Sequence, residues 1–196
     1  KQIEIESMFE QEYIVLLADT HREVSVNVVP SNHCQLRKGK GLIGKPGDDW
    51  GIGITKSIKR SFDLAGRFDH VTFNYPENEW TEHMLVNVGG VKLGLVHGHQ
   101  KNSPDQIPLW WAQQMHGGEL FDAELLLTGH FHHFLMRQTG QHIVTKRDKY
   151  HIQAPALDNG SAWIGNLNGS AKSKAGLVVF QIDSETGLDI GSLDIL

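Results

Sequence analysis

The chain has 196 residues, a formal net charge of −5, a hydrophobic fraction of 39% and a single cysteine. This length suits one domain with a buried core, and the acidic balance argues against a protein that coats nucleic acid nonspecifically. Cys34 alone cannot form an internal disulfide, no secretory signal is visible, and no apolar run approaches the roughly 20 residues that span a bilayer. We therefore predict one cytoplasmic domain over residues 1–196 with no membrane partner; the oligomeric state is left open.

Helix and strand patterns alternate along the chain and then give way to a run of strands. Apolar spacing predicts, in chain order, a helix over Met8–Glu23, a strand over Ser25–Val29, a basic glycine-rich loop over Arg37–Gly53, a helix over Thr55–Phe68, a hairpin of Leu85–Val88 with Val91–Val96, a helix over Leu109–Leu120, a strand over Glu124–Leu127, and antiparallel strands from Phe134 onward. Gly89-Gly90 suits the hairpin turn because both residues tolerate positive φ. This order predicts an α/β fold with mixed sheets in layers.

Three apolar strands end in turns that contain asparagine or histidine. The turns are Asn32-His33, His97-Gly98-His99 and Gly129-His130-Phe131-His132. Ligands of open α/β sheets bind beyond the carboxyl ends of strands, so these turns would bring Asn32, His97, His130 and His132 to one rim. Imidazole is the commonest metal ligand, and asparagine adds a neutral oxygen. One strand-end histidine is usually structural, but three such turns in one chain favour a metal site.

The order of these turns resembles the last three motifs of the calcineurin-like metallophosphoesterases. The matching segments are Ser31-Asn32-His33-Cys34 for Gly-Asn-His-Asp/Glu, His97-Gly98 for the single-histidine motif, and Gly129-His130-Phe131-His132 for Gly-His-x-His. The resemblance covers most of the chain from about Met8, and Ala154–Trp163 is similar to the corresponding stretch of phage-borne members. It implies a layered β-sandwich flanked by helices.

The resemblance also implies a metal-dependent phosphoester hydrolase with two divalent ions, either Mn, Fe or Zn. It assigns Asn32, His97 and His130 to the side of one ion and His132 to the other. His33 would protonate the leaving oxygen or stabilise the transition state, and His99 would line the site without binding metal. The expected enzyme is a phosphodiesterase or nuclease, with DNA as one candidate substrate. A phosphomonoesterase or a nucleotide hydrolase would use the same residues.

The basic loop offers a second candidate feature for substrate binding. Residues 37–60 contain seven basic and two acidic side chains. A solvated surface is the default interpretation of such a run. Because the loop follows His33 directly, we also predict that Arg37 and Lys38 attract the phosphate groups of a substrate.

The sequence departs from the family pattern in two respects. Ser31 and Cys34 replace the usual glycine and the acid that orients the neighbouring histidine. No Asp-x-His or Gly-Asp motif precedes Asn32: Asp19-Thr20-His21 lies within a predicted helix, and Gly47-Asp48 follows Asn32, out of order. The chain also begins at Lys1 without a methionine. We therefore expect the amino-terminal part of the family domain to be missing from this chain.

Two functions remain open at this stage. Without the bridging carboxylate, we expect residues 1–196 alone to bind at most one ion and to hydrolyse phosphoesters negligibly, since two unshielded divalent ions would repel each other. The alternative is a non-catalytic scaffold or interaction module, as found among family members that have lost their metals. The departures at Ser31 and Cys34 favour the scaffold, whereas the intact His97, His130 and His132 favour the enzyme.

Overall fold

The computed structural model describes residues 2–38, 41–157 and 174–196. The chain divides into two compact units, Lys1–Glu82 and His83–Leu196. The single domain over 1–196 therefore stays a prediction. Most of the Ala154–Trp163 stretch, from residue 158 onward, lies outside the described residues. None of the described helices is both long and apolar enough to cross a bilayer.

The first unit contains two helices and two small sheets. Its elements are α1 (Gln2–Thr20), β1 (Val24–Asn27), β2 (Arg37–Lys38), β3 (Gly41–Leu42), α2 (Trp50–Ala65) and β4 (Val71–Asn74). Strand β1 pairs with β4 in parallel, and β2 pairs with β3 in a short antiparallel ladder. Ile14 of α1 and three residues of α2, Ile54, Ile58 and Phe62, form the core. The connection β1–α2–β4 is therefore a crossover with its helix packed on the parallel pair.

Both helices of the first unit differ in extent from the predicted ones. Helix α1 begins at Gln2 and ends at Thr20, whereas the apolar spacing predicted Met8–Glu23. Helix α2 begins at Trp50 because the Asp49 carboxylate accepts hydrogen bonds from the amides of Gly51 and Ile52, the geometry of a helix N-cap. It ends before Gly66, which adopts a left-handed conformation with φ +58°.

The second unit is built on a five-stranded mixed sheet. The strands are β5 (His83–Val88), β6 (Val91–Val96), β7 (Leu125–Thr128), β8 (Leu135–Gln141) and β9 (Asp148–Gln153), in the spatial order β5-β6-β7-β9-β8. The three central strands are parallel, while β5 and β8 run antiparallel at the edges. Strands β8 and β9, which both follow Phe134, pair in antiparallel as predicted. The parallel pairing of β9 with the earlier strand β7 was not predicted.

Other elements cover both faces of this sheet. On one face, Ile107 and Trp111 of α3 (Ile107–Gln113) pack with Leu126 of β7. On the other face, the hairpin of β10 (Val178–Asp183) and β11 (Gly187–Ile195) packs on Leu125 and Ile152. The predicted α/β class with layered, mixed sheets and flanking helices is confirmed. Helix α3 is shorter than the predicted Leu109–Leu120, and the chain continues in 3-10 turns interrupted at Gly117, whose φ is +120°.

Candidate metal centre

Two of the predicted turns meet at the carboxyl edge of the second unit's sheet. Strands β6 and β7 are parallel, with Leu95 opposite Leu127. The ladder extends one step beyond the strands, because the Gly129 amide donates a hydrogen bond of 2.9 Å to the His97 carbonyl. His97 and His130 are consequently held next to each other by backbone pairing. The prediction of a shared rim is therefore confirmed for β6 and β7. Strand β1 belongs to a separate two-stranded sheet with β4, so the place of Asn32 at this rim stays a prediction.

The imidazoles at this edge converge. Nδ1 of His130 lies 3.3 Å from Nε2 of His97, and the two ring centroids are 5.1 Å apart. The His99 ring lies 5.5 Å from that of His97 and 6.2 Å from that of His130. Two nitrogens that each bind a tetrahedral ion at 2.0–2.1 Å are separated by about 3.3 Å. The His97–His130 separation therefore fits two ligands of one divalent ion.

The backbone of these turns is in the left-handed region at three positions. The φ angles are +110° at Gly98, +60° at His130 and +61° at His132. Glycine adopts such angles freely, but a histidine there costs roughly 1–2 kcal/mol. Strain of this kind is concentrated at functional sites, where the surrounding structure holds it in place. His130 and His132 are therefore both set in a strained turn instead of an extended segment.

The two glycines at this edge have different roles. A Cβ atom built on Gly98 would lie 3.3 Å from the Cβ of His130 and 3.5 Å from that of Thr128. A Cβ built on Gly129 would lie no closer than 3.9 Å to His97, which is an ordinary contact. Neighbouring side chains therefore approach the backbone closely at Gly98 and not at Gly129.

Buried polar side chains form hydrogen bonds with the residues on either side of the turn that contains His130 and His132. His151 is fully buried, and its Nε2 lies 2.9 Å from the hydroxyl of Thr128, the last residue of β7. Burial, together with the charge of Arg137, lowers the pKa of His151 to about 4. The Gln153 side chain, also fully buried, donates a hydrogen bond of 2.7 Å to the carbonyl of His133. Gln153 thus anchors the far end of the turn that contains His130 and His132.

The first unit holds the other predicted site residues on the loop after β1 and in β2. Oδ1 of Asn32 is buried and has no hydrogen-bond partner among the described residues, as expected of an oxygen available to a metal. Arg37 donates a hydrogen bond of 3.0 Å to the Asn32 carbonyl. The exposed His33 follows, with its amide bonded to the Ser31 hydroxyl. Lys38 is exposed next to Arg37 in β2.

A buried carboxylate that the sequence interpretation missed organises this loop. Asp49 accepts a hydrogen bond of 3.0 Å from the Ser31 amide with one oxygen, while its other oxygen caps α2. It therefore ties the Asn32-His33 turn to a helix end. The Asp-Asp-Trp sequence before an apolar helix is an N-cap signal, so Asp49 could have been found. Gln153 could not, because its partner at His133 is 20 residues away in sequence.

The structure thus brings together part of the predicted set. His97, His99 and His130 are neighbours within the second unit, and His132 lies in the same turn as His130. The ligand roles of these residues, the proton-donor role of His33 and the substrate contacts of Arg37 and Lys38 stay predictions.

No family model matches the chain. Among solved structures, it is similar to wild-type Vps29 from Entamoeba histolytica complexed with Zn²⁺, at 16% identity and a TM-score of 0.42, over 70% of this chain and 74% of that chain. A single mutant of the same protein matches at 16% identity and a TM-score of 0.46, over 94% and 87%. A predicted phosphoesterase from Streptococcus pneumoniae matches at 12% and 0.41, over 97% and 90%. At identities of 12–16% and TM-scores below 0.5, these similarities assign neither a family nor a function to the chain.

Proposed function

We propose that the chain binds a divalent metal ion through His97 and His130 and belongs to a protein that hydrolyses phosphoesters. The observation that carries this proposal is the 3.3 Å separation of one nitrogen from each ring at the carboxyl edge of two parallel strands. Such edges are where open α/β sheets bind their ligands. The order of the histidine motifs supports phosphoester chemistry, with a phosphodiester as the preferred substrate.

Each residue at this edge has a distinct role in the proposal. His97 and His130 hold one ion, and His132, from the strained turn, is a ligand on the side of the second ion. His99 lines the site and orients the substrate. When bound, divalent ions such as Mn²⁺, Fe²⁺ or Zn²⁺ acidify water and neutralise charge on the phosphoryl oxygens. Buried Gln153 and Thr128 keep the turn in place, so the ligands need little rearrangement. Asn32, His33, Arg37 and Lys38 retain the roles predicted from the sequence.

One observation favours a non-catalytic scaffold as the second candidate. Cys34 stands where the family has the acid that orients the catalytic histidine. Burial, with the charges of Asp49 and Glu6, raises the pKa of the Cys34 thiol to about 11. The thiol is therefore neutral at physiological pH and is a far weaker hydrogen-bond acceptor than a carboxylate. A protein lacking that acid could keep its metal and lose its turnover.

The test measures metal content and hydrolysis of bis-p-nitrophenyl phosphate in the full-length protein after loading with Mn²⁺ or Zn²⁺. His97→Ala, His130→Ala and His132→Ala each remove a proposed ligand, so metal should be lost and kcat should fall about 10²–10³-fold. His99→Ala should keep its metal and lose much less activity. His116→Ala is the matched control, since His116 is exposed and lies outside both turns. Circular dichroism confirms that each variant is folded.

The outcomes separate the two candidates. Hydrolysis by the wild-type protein, together with loss of metal in the three ligand variants, supports the enzyme. Metal binding without hydrolysis of any phosphoester moves the protein to the scaffold class. If the wild-type protein binds neither Mn²⁺ nor Zn²⁺, or if His116→Ala loses as much metal as His130→Ala, the metal proposal is wrong.

A further inference from the structure

A cavity of 560 Å³ lies in the second unit between α3 and the hairpin of β8 and β9. None of the residues lining it is a candidate metal ligand. Small-molecule sites commonly have volumes of roughly 300–1,000 Å³ and mostly apolar walls with a few polar groups. The walls here are formed chiefly by Trp111, Met115, Phe121, Ile143 and Val144. The cavity therefore has the size and composition of a ligand site.

Several of these apolar side chains are exposed. Val144 is 80% exposed, and Met115, Phe121 and Ile143 are each more than half exposed. Scattered exposed apolar residues need no explanation, but a group of them around one concave surface marks a binding site. Trp111, which also lines the cavity, is fixed in position. It is buried, and its indole nitrogen donates a hydrogen bond of 2.8 Å to the carbonyl of Leu120.

Three charged side chains line the cavity, and two of them are already paired. Asp122 is held by Lys92 and by Nε2 of His142 at 3.0 Å, and these partners keep its pKa below the ordinary value. Arg137 forms an ion pair with Asp105 at 2.6 Å. Lys149 forms no ion pair with any residue in the described part of the chain. It is therefore the charge most available to a ligand.

The surroundings of the Lys149 ammonium are largely apolar. Its Nζ donates one hydrogen bond of 3.1 Å, to the Phe121 carbonyl, and lies 4.4 Å from the centre of the Trp111 ring. An ammonium has three N–H donors, so it can form further bonds. Burial lowers the pKa of Lys149, although the charges of Asp122 and Glu124 oppose this effect. A ligand carboxylate would supply the acceptor that this partly desolvated cation lacks.

We propose that this cavity binds a small amphipathic carboxylate, with the carboxylate at Lys149 and the apolar body against Trp111, Phe121 and Val144. A cationic ligand would be repelled by Lys149 and Arg137, and a purely apolar one would leave the ammonium unmatched. One available ammonium suits the single charge of a carboxylate. The volume of 560 Å³ suits a small molecule.

The experiment titrates the full-length protein with 4-phenylbutyrate and with its uncharged isostere 4-phenylbutyramide, using isothermal titration calorimetry. The acid should bind about tenfold more tightly than the amide, since a hydrogen bond between the ammonium and a carboxylate is stronger than one to a neutral amide. Lys149→Met removes the ammonium and keeps the apolar stem, so the acid should fall to the affinity of the amide. Lys146→Met is the matched control, because Lys146 is an exposed lysine on the adjacent turn and does not line the cavity.

A second measurement does not depend on the variant folding. The ¹³Cε resonance of Lys149 in the wild-type protein should shift on addition of the acid and not of the amide. The proposal is overturned if neither compound binds at millimolar concentration, if acid and amide bind equally, or if the preference for the acid survives Lys149→Met. Loss of the preference in Lys146→Met as well would also overturn it, because the effect would then be one of overall charge.

Discussion

The two edges of the parallel strands β6, β7 and β9 have opposite characters. At the amino edge, the buried Glu124 carboxylate receives two hydrogen bonds from the Arg147 guanidinium and one from the Thr145 hydroxyl. Arg147 also donates to the carbonyls of Gly90 and Ser184, which ties two turns to the sheet. At this edge the negative charge of Glu124 is therefore matched by the positive charge of Arg147, and both carboxylate oxygens accept hydrogen bonds.

The carboxyl edge shows a different arrangement. Imidazoles of His97, His99 and His130 lie together, and the backbone at His130 and His132 is left-handed. Grouping side chains of one kind on a strained backbone does not serve stability. One edge therefore stabilises the sheet, while the other holds a group of histidines together on that stable support.

The largest expected effect comes from breaking the amino edge. Burial alone would raise the pKa of Glu124, but hydrogen bonds from Arg147 and Thr145 outweigh burial and lower it. Glu124→Gln removes the ion-pair partner of the Arg147 guanidinium, whose side chain is 11% exposed, so the free energy of unfolding should fall by about 3 kcal/mol, the lower end for a buried pair. Metal affinity of the protein that remains folded should not change. Urea unfolding and a metal titration measure the two quantities.

The control for this change is an exposed ion pair in the same unit. Asp105→Asn breaks the contact between Asp105 and Arg137, whose side chains are 74% and 41% exposed. It should cost less than about 1 kcal/mol, because solvent screens the pair. If Glu124→Gln costs no more than Asp105→Asn, the amino edge does not stabilise the sheet as described.

The second prediction concerns the buried histidine beneath the carboxyl edge. The pKa of His151 is lowered from 6.5 to about 4 in the folded protein, so folding favours its neutral form. Its contribution to stability is complete above pH 6.5 and is lost as the pH falls from 6.5 towards 4. The loss amounts to roughly 3 kcal/mol. His151→Gln should flatten the pH dependence of the unfolding free energy across this window.

The comparison between variants isolates His151 from other groups. Glu124 has a lowered pKa and loses its contribution only below its ordinary value of 4.5, in both proteins. His116→Gln changes an exposed histidine and should leave the slope as in wild type. Equal slopes for wild type and His151→Gln between pH 6.5 and 4 would show that His151 is not held neutral by the fold.

Much of this sheet could be predicted from local sequence. The hairpin of β5 and β6 turns at Gly89-Gly90 as expected, and β7 was displaced by only one residue, because apolar runs and turn residues are local signals. The parallel pairing of β9 with β7 could not be predicted. It depends on which strand is adjacent in space, and the segment between β7 and β9 carries no pattern that distinguishes the two directions.

The candidate site, like the sheet, could be predicted from the sequence only in part. The meeting of His97 and His130 followed from two strand-end motifs, because parallel neighbours end at one edge. The left-handed backbone at His130 and His132 did not follow, since only a small minority of non-glycine residues adopt positive φ and no local pattern marks which ones do. Support from Thr128, His151 and Gln153 also escaped prediction, because it consists of contacts between residues distant in sequence.

The smallest effect tests whether the carboxyl edge needs close packing as well as histidines. Gly98→Ala and Gly90→Ala each place a methyl group on a residue with positive φ, +110° and +83° respectively. The backbone strain alone should cost each variant about 1 kcal/mol of unfolding free energy. At Gly90 the new Cβ meets no atom within 4 Å, whereas at Gly98 it lies 3.3 Å from the Cβ of His130. Gly98→Ala should therefore displace His130 and weaken metal binding severalfold, and Gly90→Ala should not.

Urea unfolding measures the stability of the two variants, and titration with Mn²⁺ or Zn²⁺ measures their metal affinity. Equal metal affinity in the two variants would mean that His130 has room to move, and that the tight turn serves the fold alone.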